Sequence, residues 1–141
     1  MPNNRTFLSS TGVAVYGVSP NRKTFASVVF NNIEKSGLNA FRINPSGTNG
    51  FYRDLNAVSD KVDSTYVAMR PEKVSGILDE IIRSGIKKVW LQNGSYNKDF
   101  INKLQSAGIE TYTGCLMMYL SSAGFLHKFH RAIYEFFGGD K

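Results

Sequence analysis

The segment Val13-Ala14-Val15-Tyr16-Gly17-Val18-Ser19 constrains this chain more than any other. An apolar run breaks at glycine, passes through serine into the basic stretch Asn21-Arg22-Lys23-Thr24, and gives way to a helical pattern. A buried strand turning sharply into a helix opens a parallel α/β fold, and its turn aims backbone amides and a helix N-terminus at an anion such as phosphate. The turn lacks the G-x-G-x-x-G spacing. The next strand end, Phe41-Arg42-Ile43-Asn44-Pro45, carries no acidic residue of the kind that holds the ribose hydroxyls of NAD. These features predict a nucleotide ligand other than NAD.

The pattern repeats along the chain. After a polar arm to about Ser10, strands are expected at Val13 to Val18, Leu38 to Ile43, Ser64 to Met69, Lys88 to Gln92 and Ile109 to Thr113. Between them, helical stripes run from Phe25 to Lys35, from Pro71 to a stop at Gly85, and from Lys98 to Ser106. A final amphipathic helix is expected from about Ala123 to Phe137. Strands alternating with helices imply right-handed crossovers and an α/β, three-layer Rossmann-like parallel sheet of about five strands, order 3-2-1-4-5, with helices on both faces. In such sheets ligands lie outside the carboxyl ends of the strands, near the switch point between the first and fourth.

Length and composition narrow the function classes. A chain of 141 residues suits one domain, residues 1–141, and is too short for a nucleotide domain plus a full substrate domain. Its 42% hydrophobic and 20% charged content is that of an ordinary soluble globular protein, and no run reaches the roughly 20 apolar residues of a membrane span. The N-terminus has no sustained apolar stretch of the signal-peptide kind, and a single cysteine, Cys115, agrees with a reducing compartment, so a cytoplasmic location is expected. The net charge of +6 favours an anionic partner. Because the basic residues are scattered rather than clustered, a phosphorylated small molecule is favoured over nucleic acid.

Five strand ends carry a resemblance. Gly17-Val18-Ser19 with Lys23, Ile43-Asn44-Pro45, Val67-Ala68-Met69-Arg70-Pro71-Glu72, Val89-Trp90-Leu91-Gln92-Asn93-Gly94, and Cys115 after the last strand stand in the order found in the CoA-binding domain family. This Rossmann-like module also forms the N-terminal half of the succinyl-CoA synthetase alpha subunit. The chain resembles it from about Val13 to Met118, departing at Phe25, where many relatives carry a small residue, and at Gly114, where a charged or polar residue is commoner. The resemblance implies CoA or an acyl-CoA as ligand. It also implies a cofactor site drawn from Gly17, Val18, Ser19, Arg22, Lys23, Thr24, Asn44, Pro45, Tyr52, Ala68, Met69, Arg70, Gln92, Asn93, Gly94 and Cys115.

The residues bear their own chemistry, each with a plainer alternative. Gly17 lets the backbone approach a ligand and Ser19 offers a hydroxyl and an amide to phosphate, unless this is a turn and nothing more. Arg22 and Lys23 at a helix start oppose the macrodipole unless an anion is present, or they form a solvated basic turn. Asn44-Pro45, with Arg42 nearby, leaves a neutral tip that admits a phosphorylated ribose, and turn chemistry alone competes with that reading. Arg70, held extended by Pro71, reaches a phosphate or adenine, or makes a structural ion pair. Gln92-Asn93-Gly94 places amides where a pantetheine arm would pass, and Trp90 inside its strand is core.

Tyr52 either covers an adenine or is an exposed loop tyrosine. Cys115 either meets the ligand thiol or is a small buried hydrophobe. His127 and His130, at i and i+3, lack partners at metal-ligand spacing, so a surface or interface role is expected and no metal.

No nucleophile, base and orienting partner stand together, so the reading is a binding protein without its own chemistry. An NAD(P)-binding redox enzyme or sensor on the same fold is the alternative. The apolar C-terminal helix, with Phe125, Leu126, Phe129, Ile133, Phe136 and Phe137, packs on its own sheet or makes a homodimer.

Overall fold

A computed structural model describes residues 4–46 and 49–120. Its strands are β1 (Gly12–Tyr16), β2 (Asn39–Ile43), β3 (Phe51–Tyr52), β4 (Ser64–Val67), β5 (Lys88–Gln92) and β6 (Glu110–Gly114). Its α-helices are α1 (Phe25–Lys35), α2 (Pro71–Val74), α3 (Leu78–Arg83), α4 (Lys98–Ser106) and α5 (Met117–Leu120). The strands form one sheet in the order β3-β2-β1-β4-β5-β6, and every neighbouring pair is parallel.

The physical reason is burial on both faces. All five residues of β1 and all four of β4 are buried, the signature of strands sandwiched between helical layers. One face packs Val13, Val15, Tyr66 and Trp90 against α1 and α5. The other packs Ala14, Tyr16, Val67, Val89 and Leu91 against α3 and α4. Helix α1 begins with a reciprocal cap: Ser27 N–H donates to Thr24 Oγ1 at 3.3 Å, and Thr24 N–H donates to Ser27 Oγ at 3.1 Å. It ends where Gly37 N–H donates to Glu34 O and Leu38 N–H to Ile33 O, a pairing that Gly37 allows by its φ of +96°.

The α/β class and the helices on both faces are as the sequence predicts, with one strand more. Phe51–Tyr52 is too short to show a period, yet it pairs with β2 and takes third place at the sheet edge. The segment from Ser64, third in the sequence reading, is therefore β4, and it lies beside β1. The expected helix from Pro71 divides into α2 and α3 around Ser75-Gly76, two weak helix formers, while Val74, Leu78 and Ile81 keep their buried stripe.

The N-terminal arm is not simply polar. Residues Asn4–Ser9 form a 3-10 turn that sets Phe7, fully buried, edge-on against Trp90 at 5.4 Å and Tyr112 at 5.5 Å. Among the described residues no helix is long and apolar enough to cross a membrane. The expected helix from Ala123, with His127 and His130, lies outside them.

Candidate functional site

Pairing Tyr16 with Ile43 and Val67, Val67 with Leu91, and Leu91 with Thr113 levels the carboxyl ends of five strands. Their following loops line one edge, as parallel α/β geometry requires.

Gly17 opens the first loop with φ +115°, a region L side chains rarely adopt. The loop is pinned at several points. Thr24 Oγ1 donates to Gly17 O at 2.9 Å, Asn44 Nδ2 donates to Val18 O at 3.0 Å, and Asn21 N–H donates to Ser19 Oγ at 3.1 Å. Val18 is buried, Ser19 half-buried, and Arg22 and Lys23 exposed just before α1. Two like charges at a helix start are unfavourable without an anion to offset them.

Asn44 acts as a latch for this loop. Its Oδ1 accepts from Ser46 N–H at 2.9 Å and its own N–H donates to Tyr52 O at 2.8 Å, so its side chain is engaged within the protein and Pro45 sits in the turn beyond. Tyr52 is not an exposed loop residue. It is half-buried in β3, edge-on to Phe41 at 5.8 Å. Arg42 is withdrawn as well: its guanidinium lies 4.5 Å from the Phe51 ring centroid and 5.1 Å from that of Phe30, and Nε donates to Gly50 O at 3.2 Å.

After β4, Ala68 N–H donates to Tyr16 O at 3.2 Å, carrying the sheet pairing one step further. Met69 N–H donates to Ser95 Oγ at 2.9 Å. Arg70 is extended before Pro71, as the dipeptide requires. Its side chain is 82% exposed and only 4.0 Å from Glu72, an ion pair too open to hold it.

After β5, Ser95 N–H donates to Gln92 O at 2.9 Å, closing a turn through the exposed Asn93 and Gly94 at φ +89°. The Gln92 side chain turns inward. Its Oε1 accepts from Tyr66 Oη at 2.7 Å and its Nε2 donates to Cys115 Sγ at 3.2 Å. Cys115 is half-buried behind Gly114, whose carbonyl accepts from Trp90 Nε1 at 3.1 Å. Burial pushes the Cys115 thiol pKa up, against the opposing hydrogen bond from Gln92. It is a resting thiol and no activated nucleophile.

The edge divides by charge. Loops after β1 and β4 present Arg22, Lys23 and Arg70, while residues 93–97 and 114–116, after β5 and β6, carry no charged side chain. One half suits a polyphosphate and the other a neutral chain. Ser95, whose Oγ ties the loop after β5 to Met69 N–H in the loop after β4, was not legible in the sequence as a structural link. The only signal was its place directly after the Asn93-Gly94 turn.

Comparison with known proteins adds what geometry leaves open. Residues 11–121 match the family described as the CoA binding domain. The chain belongs to the CoA-binding domain family. No protein with a curated description matches it. Among solved structures, a hypothetical protein from Pyrococcus horikoshii OT3 is similar, with TM-score 0.74 and 24% identity over 82% of this chain and 86% of that one. A protein from Thermus thermophilus has TM-score 0.73 and 26% identity, covering 84% of this chain and 96% of its own. A dinucleotide-forming acetyl-coenzyme A synthetase from Ca. Korarchaeum cryptofilum, in complex with phosphate and ADP, has TM-score 0.61 and 23% identity. That match covers 72% of this chain and 25% of that one. Likeness at these identities establishes the shared fold.

Proposed function

We propose that this protein binds CoA or an acyl-CoA across the carboxyl edge of its sheet and performs no reaction on it. The observation that carries this reading is the family match over residues 11–121, joined to an edge that is cationic on one half and uncharged on the other. CoA has the same division. Its diphosphate and phosphomonoester bring a charge of about −3.5 to −4 at neutral pH, followed by an uncharged pantetheine arm.

Each residue then has a role it can perform. Gly17 to Ser19 present backbone and hydroxyl to a phosphate oxygen, the turn into this loop being made by the positive φ of Gly17. Lys23, Arg22 and Arg70 neutralise phosphate charge, while Thr24 and Asn44 hold the loop that carries the amides. Asn93 and Gly94 border the neutral half. Cys115, protonated and hydrogen-bonded by the side-chain amide of Gln92, has no neighbouring base to activate it among the described residues.

Thermal denaturation with equal concentrations of CoA and NAD tests the reading, because a ligand that prefers the native state stabilises it by mass action. CoA is expected to raise Tm clearly and NAD much less. Equal or greater stabilisation by NAD overturns the assignment. Mass spectrometry of ligand released by heat from the freshly purified protein identifies the acyl group, if one is carried.

A further inference from the structure

We propose that the N-terminal arm is a strap that positions the loop after β6 at the ligand edge, with Asn4 as the positioning residue that fastens it; its bearing on affinity rests on CoA occupying that edge.

The arm, Asn4–Ser9, precedes residues 11–121, the span of the family match. It is nonetheless built into the core. Phe7 is fully buried, edge-on to Trp90 and Tyr112. At the amino edge of the sheet Lys88 Nζ donates to Thr6 O at 3.2 Å and to Ser9 Oγ at 3.0 Å. From there the arm runs toward the other end of β6, where Asn4 Nδ2 donates to Thr113 O at 3.3 Å and to Tyr119 Oη at 3.4 Å. Six residues of 3-10 helix at about 2 Å each reach about 12 Å, enough to follow β6 over most of its length.

What the arm reaches is a strand end that needs holding. Among the described residues β6 is the outer strand of the sheet, with a strand neighbour on one side only, so side chains must satisfy part of its backbone. Asn4 donates to Thr113 O and Trp90 Nε1 to Gly114 O, and the Phe7 ring packs on that same Trp90. The last two carbonyls of β6 are thus both fixed by side chains that the arm supplies or braces. Immediately beyond, Gly114 turns the chain at φ +107° into Cys115, half-buried against the same cluster as Phe7. The fastening is uneven. Phe7 is sealed in the core, whereas the bonds of Asn4 are long and only part-buried, so the tip can come undone while the rest of the arm stays in place.

Asn4→Ala and Asn4→Asp variants of the full chain test the strap; the second keeps the side chain's size and loses its donor. Alkylation of Cys115 by iodoacetamide at one fixed pH reads the loop and needs no ligand, and calorimetric titration with CoA reads the edge. Both variants are expected to be alkylated about three- to tenfold faster, to bind CoA about three- to tenfold more weakly, and to melt within a few degrees of wild type. Their alkylation rates should change little in low urea, the mark of a local opening. Unchanged alkylation in either variant, a rate that rises with urea as steeply as global unfolding does, or unchanged CoA affinity overturns the proposal. Wild-type protein that does not bind CoA overturns the reading of the edge instead, and the alkylation rates still decide whether the arm holds the loop.

Discussion

The carbonyl oxygen of Ala68 lies so close to Gly17 that a Cβ at position 17 would collide with it, and the Ala26 side chain closes the same space from α1. Strand β4 and helix α1 thus meet over a residue that has no side chain and a φ of +115°. Gly17→Ala meets both a strained backbone and a steric conflict, and is expected to destabilise the fold by about 2–5 kcal/mol. Chemical denaturation measures this. A variant as stable as wild type would show that the loop relaxes freely.

Lys23 and Arg70 stand exposed on the cationic half of the edge. Replacing either by Ala is expected to weaken CoA binding by about 1.5–3 kcal/mol, roughly ten- to a hundredfold, with little change in Tm. Lys87, exposed in the loop before β5 at the opposite edge, serves as control. Charges beyond about 8 Å are screened at physiological salt, so Lys87→Ala should change affinity far less. Calorimetry at fixed ionic strength checks this, and equal losses in all three variants would mean diffuse attraction rather than a site.

Tyr16 carries its hydroxyl into the face of the sheet covered by α3, beside Glu80, where it is buried and makes no hydrogen bond of ordinary length and angle among the described residues. Burial first, and the Glu80 carboxylate next, hold its pKa far above the ordinary tyrosine value. Removing an unsatisfied buried group while keeping the ring favours the folded state. Tyr16→Phe is therefore expected to gain about 1 kcal/mol, seen as a rise of a few degrees in Tm. A fall in Tm would show that the hydroxyl bonds to something after all.

The Cys115 thiol keeps its proton above the ordinary value of 9.0, chiefly because burial disfavours the thiolate. Alkylation by iodoacetamide should accordingly reach half its maximal rate only above pH 9.0. The same shift has a stability consequence. Its contribution is fully present below the unfolded thiol's pKa and is lost as pH rises through the folded value, since the unfolded chain releases the proton first. Stability of wild type relative to Cys115→Ala should thus fall as pH increases above 9.0. A flat difference across that range would contradict the shift.

How much of this was legible in the residues themselves depends on distance along the chain. The local placement of Gly17 at a turn, Lys23 before a helix and Arg70 in extended backbone was readable because a glycine break, a basic helix start and an Arg-Pro dipeptide act on their immediate neighbours. Asn44 and Gln92 were placed at the right strand ends, but their side chains turned out to be tied to Val18 in one case and to Tyr66 and Cys115 in the other. Arg42 reads in the sequence as a cation near the second strand end, yet its guanidinium lies against the rings of Phe30 and Phe51. Phe7, one aromatic in a polar arm, had no period to announce its burial.

The sequence by itself determined the α/β class, the parallel sheet with β1 at its centre, and the loops that form the carboxyl edge. Hydrophobic periodicity, glycine stops and proline starts are local, and they bound each element without reference to the others. Only the tertiary structure decided which polar groups at that edge are already satisfied. The contacts from Asn44 to Val18, from Tyr66 to Gln92, and from Met69 to Ser95 each span 26 residues. Strand pairing brings such partners together, and the hydrogen bonds they form there decide which donors are left for a ligand.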